Sequence, residues 1–161
     1  MKLIDILGGT PLPVGYRMAF LTVFFREPLL RRIEREHGLV RPEWTVLVCL
    51  AYQDGLNARD ICEITEQPSN SISRGVASLL DKGFVARRPD PEDARRNMLD
   101  ITPAGREVYS AAMDLFVQAE THMTACLSDA ERATLIGLLD KLARDVPRWR
   151  TMPPYTEAND D

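Results

Sequence analysis

The sequence predicts a mainly α-helical fold with one short β-hairpin. Its centre is a winged helix-turn-helix lobe, three helices plus a two- or three-stranded β wing, joined to helical regions from both termini. Three observations predict it. Between Leu56 and Gly105 a short apolar-periodic segment meets a tight break at Gln67–Pro68–Ser69, then a second amphipathic segment bearing Arg74. Two short β-like runs, 84–87 and 97–101, then flank an Arg-rich loop. Long segments of helical apolar spacing lie on either side, at 14–37 and 103–146. In such a lobe the second helix of the turn enters a DNA major groove.

Taken in order, Pro11 and Pro13 are expected to keep the first dozen residues out of a regular helix. Met18, Leu21, Phe25, Leu29 and Ile33 recur at helical spacing, so 14–37 reads as one long helix that Gly38 caps. Pro28 lies inside it and predicts a kink near Phe24–Glu27. Pro42 and Glu43 suit the first turn of the next helix, to about Gln53, with Trp44, Leu47, Val48 and Ala51 on its apolar face. Asn57 can cap a third helix, helped by Asp60, with Ile61 and Ile64 facing inward. A fourth runs over 69–81 with Ile72, Val76, Leu79 and Leu80 buried, and Gly83 ends it. Thr102–Pro103 starts a fifth helix with Val108, Ala112, Leu115, Ala119 and Met123 on one side. Ser128 and Glu131 form a capping-box pattern for the last helix, striped with Leu135, Leu138, Leu139, Leu142 and Val146. From Pro147 the chain is Pro-rich and finally acidic, so 147–161 is expected to be a flexible tail.

The 161 residues suffice for a single domain with a real core. No apolar run approaches the ~20 residues of a membrane span, and the first residues lack the plan of a signal peptide, so a cytoplasmic location without membrane partner is expected. Cys49, Cys62 and Cys126 are odd in number and widely spaced, unlike a disulfide framework or a zinc site. His37 and His122 have no partner at metal-ligand or triad spacing, and there is no Gly-rich phosphate loop. Neither an enzyme, a metal nor a cofactor is expected. The net charge of −4 argues mildly against a nucleic-acid binder, but DNA needs a basic face and not a basic total. Residues 69–96 carry six basic and four acidic side chains, a surplus of positive charge in a negative chain.

The candidate contacts lie in that segment. Asn70, Arg74, Ala77 and Asp81 share the helix face opposite Ile72, Val76 and Leu80, with Ser69, Ser71 and Ser73 near its start. Small polar side chains and free amides there can hold phosphates or base edges, and Arg74 can fork onto a guanine. The plainer alternative is that Ser69, Asn70 and Ser71 only cap the helix. In the loop Arg87, Arg88, Arg95 and Arg96 suit a narrow minor groove, where Asp93 could pair with an Arg and aim the rest. The alternative there is a solvated charged turn.

The stretch SNSISRGVASLLDKGFVARRPDPEDARRNMLDITPAG resembles the multiple antibiotic resistance regulator (MarR) family. It has the family's helix ending in L-x-x-x-G, a following Arg, D-P-x-D-x-R, and a hydrophobic–Thr–x–x–Gly entry to the next helix. On that match Asp93 and Arg95 take the wing Asp and wing Arg positions. Ala94 stands where the family commonly has the first of two Arg, and Arg95–Arg96 follow. Pro42–Glu43–Trp44 through Leu50 and Ser128–Asp129–Ala130–Glu131 resemble the family's second and final helices.

The resemblance implies one MarR-type domain over 1–161: dimerisation helices at 14–37 and 103–146 and a DNA-binding lobe at 42–102. It implies a homodimer, most simply a repressor, on a pseudo-palindromic operator of double-stranded DNA. The terminal helices independently carry more apolar surface than the lobe can cover. It further implies release by a small aromatic or phenolic ligand. The candidates for that pocket are Tyr16, Met18, Phe20, Phe24, Trp44 and Tyr52, with Arg17 for a carboxylate. Aromatic and Met side chains at this spacing equally suit a core or a dimer interface. Two other readings stand beside this one. A thiol-redox regulator would use Cys126, next to a capped helix start, although no Cys precedes Cys49. A winged-helix protein-interaction module would bind no DNA.

Overall fold

The computed structural model describes residues 2–91 and 97–155. In chain order they form α1 (Leu3–Gly9), α2 (Gly15–His37), α3 (Arg41–Tyr52), α4 (Ala58–Thr65), α5 (Ser69–Asp81), β1 (Val85–Pro89), β2 (Asn97–Ile101), α6 (Pro103–Thr124), α7 (Asp129–Arg144) and α8 (Val146–Trp149). The chain divides into two compact units, Met1–Ala119 and Glu120–Asp161.

Unit one holds the lobe. Its core brings together Ile33 of α2, Leu39, Val46, Leu47 and Leu50 of α3, Leu56, Ile61 of α4, Ile72, Val76 and Leu79 of α5, Val85, Leu99 and Ile101 of the hairpin, and Ala112 of α6. Removing this apolar area from water is what fixes three short helices that would not persist alone. Local chemistry sets the ends. The Asn57 carboxamide accepts from the amides of Arg59 (2.9 Å) and Asp60 (3.1 Å), and Asp60 accepts in return from the Asn57 amide (2.9 Å). α4 closes at Glu66, a left-handed residue at φ 57°, which makes the tight break before α5. After α5 the Gly83 amide bonds to the Leu80 carbonyl and the Phe84 amide to that of Leu79.

β1 and β2 pair antiparallel, Val85 opposite Ile101 and Pro89 opposite Asn97. Leu56 bridges Leu99 on the other edge of β2, so the wing gains a one-residue third strand tied to the turn before α4. Asp54 adds a second tie, its carboxylate accepting from the Ile101 amide at 2.9 Å.

The expectations for residues 3–9 and for Ile64 are corrected. Residues 3–9 are helical, because a proline restrains itself and the residue before it, and so Pro11 and Pro13 leave the upstream turn free. α2 runs unbroken through Pro28. Ile64 is 61% exposed: α4 turns Ala58, Ile61, Cys62 and Thr65 inward, which leaves Ile64 about a third of a turn off that face. Trp44 is a core ring at 7% exposure, stacked on Tyr109 (5.2–5.5 Å spacing holds for both neighbours) and on Phe116.

Unit two contains the end of α6, then α7 and α8. The Ser128 hydroxyl accepts from the Glu131 amide and Glu131 accepts from the Ser128 amide, the expected capping box. Leu135, Leu138, Leu139 and Leu142 of α7 are all exposed. Val146 and Pro147 lie in α8, and hydrogen-bonded turns continue to Tyr155, whose ring meets Trp149 at 5.0 Å. The rest of the expected tail lies outside the described residues. Among the described residues no helix is long and apolar enough to cross a membrane.

Candidate nucleic-acid interface

α5 spans 69–81, the range its sequence predicts. Ser69, Asn70, Ser73, Arg74, Ala77 and Asp81 are exposed, and Ser71 is half-buried. No side chain caps this helix; Pro68 occupies the cap position and its carbonyl receives the amides of Ser71 (2.9 Å) and Ile72 (3.2 Å). The polar side chains of the first turn are therefore not consumed in capping. The first amides and the positive end of the helix dipole face outward together, a geometry that suits phosphate. Arg74 has no hydrogen bond or ion pair with any described residue, so its guanidinium is unspent.

The wing arginines differ from one another. Arg87 is exposed and without a partner among the described residues. Arg88 is engaged: its Nε donates to Asp100 at 2.6 Å and Nη1 lies 3.3 Å from the Met98 sulfur. Asp93, Arg95 and Arg96 lie outside the described residues.

Two features hold α5 in place, and neither stands out in the sequence. A Cβ on Gly75 would lie 3.0 Å from the Pro42 carbonyl carbon and Cβ, so α5 meets the start of α3 at backbone distance. Beside that contact Glu43 is buried at 1% exposure. Its Oε1 accepts from the Ser78 hydroxyl and from Lys82 Nζ (2.6 Å), and its Oε2 from the Val40 amide (2.8 Å). Burial pushes this carboxyl up, but the donors Lys82, Ser78 and Val40 outweigh it and hold it below the ordinary value, so Glu43 is charged at neutral pH.

The sequence matches the MarR family model over residues 37–96, which take in α3, α4, α5, β1 and the wing loop. It is 32% identical over 114 residues to a Thauera aromatica protein named for transcriptional regulation of the hcr operon, covering 71% of this chain and 69% of that one. The chain belongs to the MarR family. Its fold is similar to apo MarR from E. coli, with a TM-score of 0.66 and 22% identity over 80% of this chain and 96% of that one. It is similar too to PcaV from Streptomyces coelicolor, solved with its natural ligand, at a TM-score of 0.64 and 22% identity over 89% and 98% of the two chains. This member of the MarR family is thus a DNA-binding transcriptional regulator and not an enzyme.

The side chains expected to line a ligand pocket are dispersed in character. Tyr16 and Phe20 meet edge to face at 6.1 Å, and Met18 and Phe24 are exposed. Arg17 donates to the carbonyls of Leu7 (3.3 Å) and Pro13 (2.7 Å), which occupies its Nη1. Trp44 is in the core, and Tyr52 is 80% exposed beside Tyr109. Burial, and then a hydrogen bond with Tyr52, push the Tyr109 hydroxyl from 10.0 up to about 12. A raised value means the neutral phenol is favoured in the folded state. Its contribution to stability is present below pH 10 and lost as the pH rises through about 12. Tyrosinate absorbance is expected to show a late step that vanishes in Tyr109→Phe; a single step near pH 10 for all four tyrosines would contradict this.

Of the thiols, Cys49 is half-buried and burial pushes it up, away from the reactive thiolate. Cys126 is exposed, its Sγ 3.9 Å from the Met123 carbonyl.

Proposed function

We propose that α5 lies in the major groove of an operator, with Ser69, Asn70, Ser71 and Ser73 on phosphates and base edges and Arg74 on a guanine. The wing then follows the backbone into the adjacent minor groove through Arg87, Arg95 and Arg96. Arg88 and Asp93 shape it: Arg88 of β1 already reaches across to Asp100 of β2. The observation that carries this reading is the unspent Arg74 on the exposed face of a helix whose first turn no side chain caps.

The protein acts as a homodimeric repressor in the cytoplasm. Support for the dimer is the apolar surface left bare on the terminal helices, Leu21, Val23 and Phe24 on α2 and Leu135, Leu138, Leu139 and Leu142 on α7. A two-fold dimer sets its reading helices about one DNA turn, roughly 34 Å, apart. A small aromatic or phenolic ligand near Tyr16, Met18, Phe20 and Phe24 shifts that spacing and releases DNA, as a ligand preferring one arrangement must. That its relative PcaV is solved with a natural ligand supports a ligand here.

Light scattering together with footprinting tests the assembly. The expected result is a dimer's mass and two protected half-sites centred about 10 base pairs apart. A monomer's mass, or one protected patch, would overturn it.

A further inference from the structure

We infer that Glu43 is a positioning residue for operator reading: a buried carboxylate on α3 that fixes where along its own axis, and at what rotation, α5 presents Arg74. The inference rests on the reading of α5 as the groove helix. The apolar face of α5, Ile72, Val76 and Leu79, drives docking but specifies register weakly, because hydrophobic side chains repack with small losses. Hydrogen bonds to one buried carboxylate are far stricter in distance and angle.

Glu43 reaches Ser78 of α5 and Lys82, the residue that caps its C-terminal end, one turn apart on the flank that faces α3. Lys82 Nζ also donates to the Gly38 carbonyl at 2.8 Å, so the end of α5 is tied to the chain on both sides of the α3 start. Gly75, three residues before Ser78, is the point where the two backbones touch, against Pro42 beside Glu43. Arg74 immediately precedes Gly75 and lies one turn before Ser78. The pin is thus adjacent to the side chain whose placement matters. The second oxygen of Glu43 accepts from the Val40 amide, so the carboxylate is held at both oxygens, one by the start of α3 and the other by Ser78 and Lys82. Being 1% exposed, Glu43 cannot itself touch DNA.

The test uses the full chain and a duplex that the wild type selects from a random library, with a scrambled duplex as competitor. In Glu43→Gln the ratio of the two affinities is expected to fall at least about tenfold, the scale of loss when one side of a buried polar contact is removed. Affinity for the scrambled duplex should stay within about twofold, since phosphate contacts supply it. Lys82→Met should give the same selective loss, and Glu43→Gln with Lys82→Met no more than either alone, because the two act as one unit. Should Glu43→Gln not fold, Ser78→Ala, at a half-buried site, must still lower the ratio. A lower melting temperature with an unchanged ratio below that temperature would overturn the inference and leave Glu43 a stability residue only. Equal loss on both duplexes in Lys82→Met, with none in Glu43→Gln, would make Lys82 a phosphate contact and overturn it as well. Arg74→Ala in the same assay separates the layers: if it leaves the ratio intact, Arg74 does not read a base, and both its place on a guanine and the role of Glu43 in presenting it fall.

Discussion

Gly105→Ala is expected to be the most destabilising of the glycine-to-alanine changes in this chain. An alanine Cβ at that position would lie 2.0 Å from the Phe84 carbonyl oxygen, 2.9 Å from its carbon and 3.0 Å from Ile101 Cγ1. Nothing at that contact is a flexible side-chain end. The Phe84 oxygen already accepts from the Thr102 amide at 3.0 Å, and the Thr102 hydroxyl bonds both the Gly83 carbonyl (2.8 Å) and the Gly105 amide (3.1 Å). The first turn of α6 therefore sits directly on the chain that enters β1. Making room means parting α6 from the hairpin and breaking that Thr102 bond. The loss should be about 3 kcal/mol, the upper part of the range for overpacking a tight core. In a chain of this size that lowers the melting temperature by roughly 6–12 °C. A calorimetric scan checks it; a variant that melts within about 2 °C of the wild type would show that the α6 start yields easily.

Arg74→Ala carries the largest expected effect on DNA binding. Arg74 is exposed and has no partner among the described residues, so its loss should leave the melting temperature unchanged. If its guanidinium forks onto a guanine, the matched duplex loses about 1–3 kcal/mol and the scrambled duplex almost nothing. Equal loss on both, with a shallower salt dependence, would make it a phosphate contact instead. The contrast with Gly105 is instructive: one substitution acts on folding and spares the exposed face, the other acts on that face and spares folding.

Local signals were legible in the sequence wherever the partners are a few residues apart. Asn57 with Asp60, Ser128 with Glu131, and the Pro68 and Gly83 brackets of α5 each act within one turn, and each gives the element its sequence predicts. The outward face of α5 is equally local, since helical spacing alone separates Arg74 from Ile72 and Val76. What was not legible depends on distant chain. Glu43 reads as an ordinary first-turn acid, because the residues that make it a buried pin are 35 and 39 positions away. Gly105 reads as part of a Thr–x–x–Gly helix entry, and its contact with Phe84 exists only once the hairpin has folded back. Ile64 fails for a related reason: an eight-residue helix has too few apolar positions to say which side of Ile61 turns inward. Trp44 was legible as apolar, but its place between Tyr109 and Phe116 required α6 to pass over α3.

The central claim is that α5 and the wing grip duplex DNA through phosphates and read it through base edges. The most direct measurement is the affinity of the wild-type protein for its selected duplex and for a scrambled one, each at about 50 mM and 200 mM salt. The account predicts that both affinities fall steeply as salt rises, while at either salt the selected duplex is held at least about a thousandfold more tightly. Affinities that ignore salt, or that are equal for the two duplexes, would contradict it.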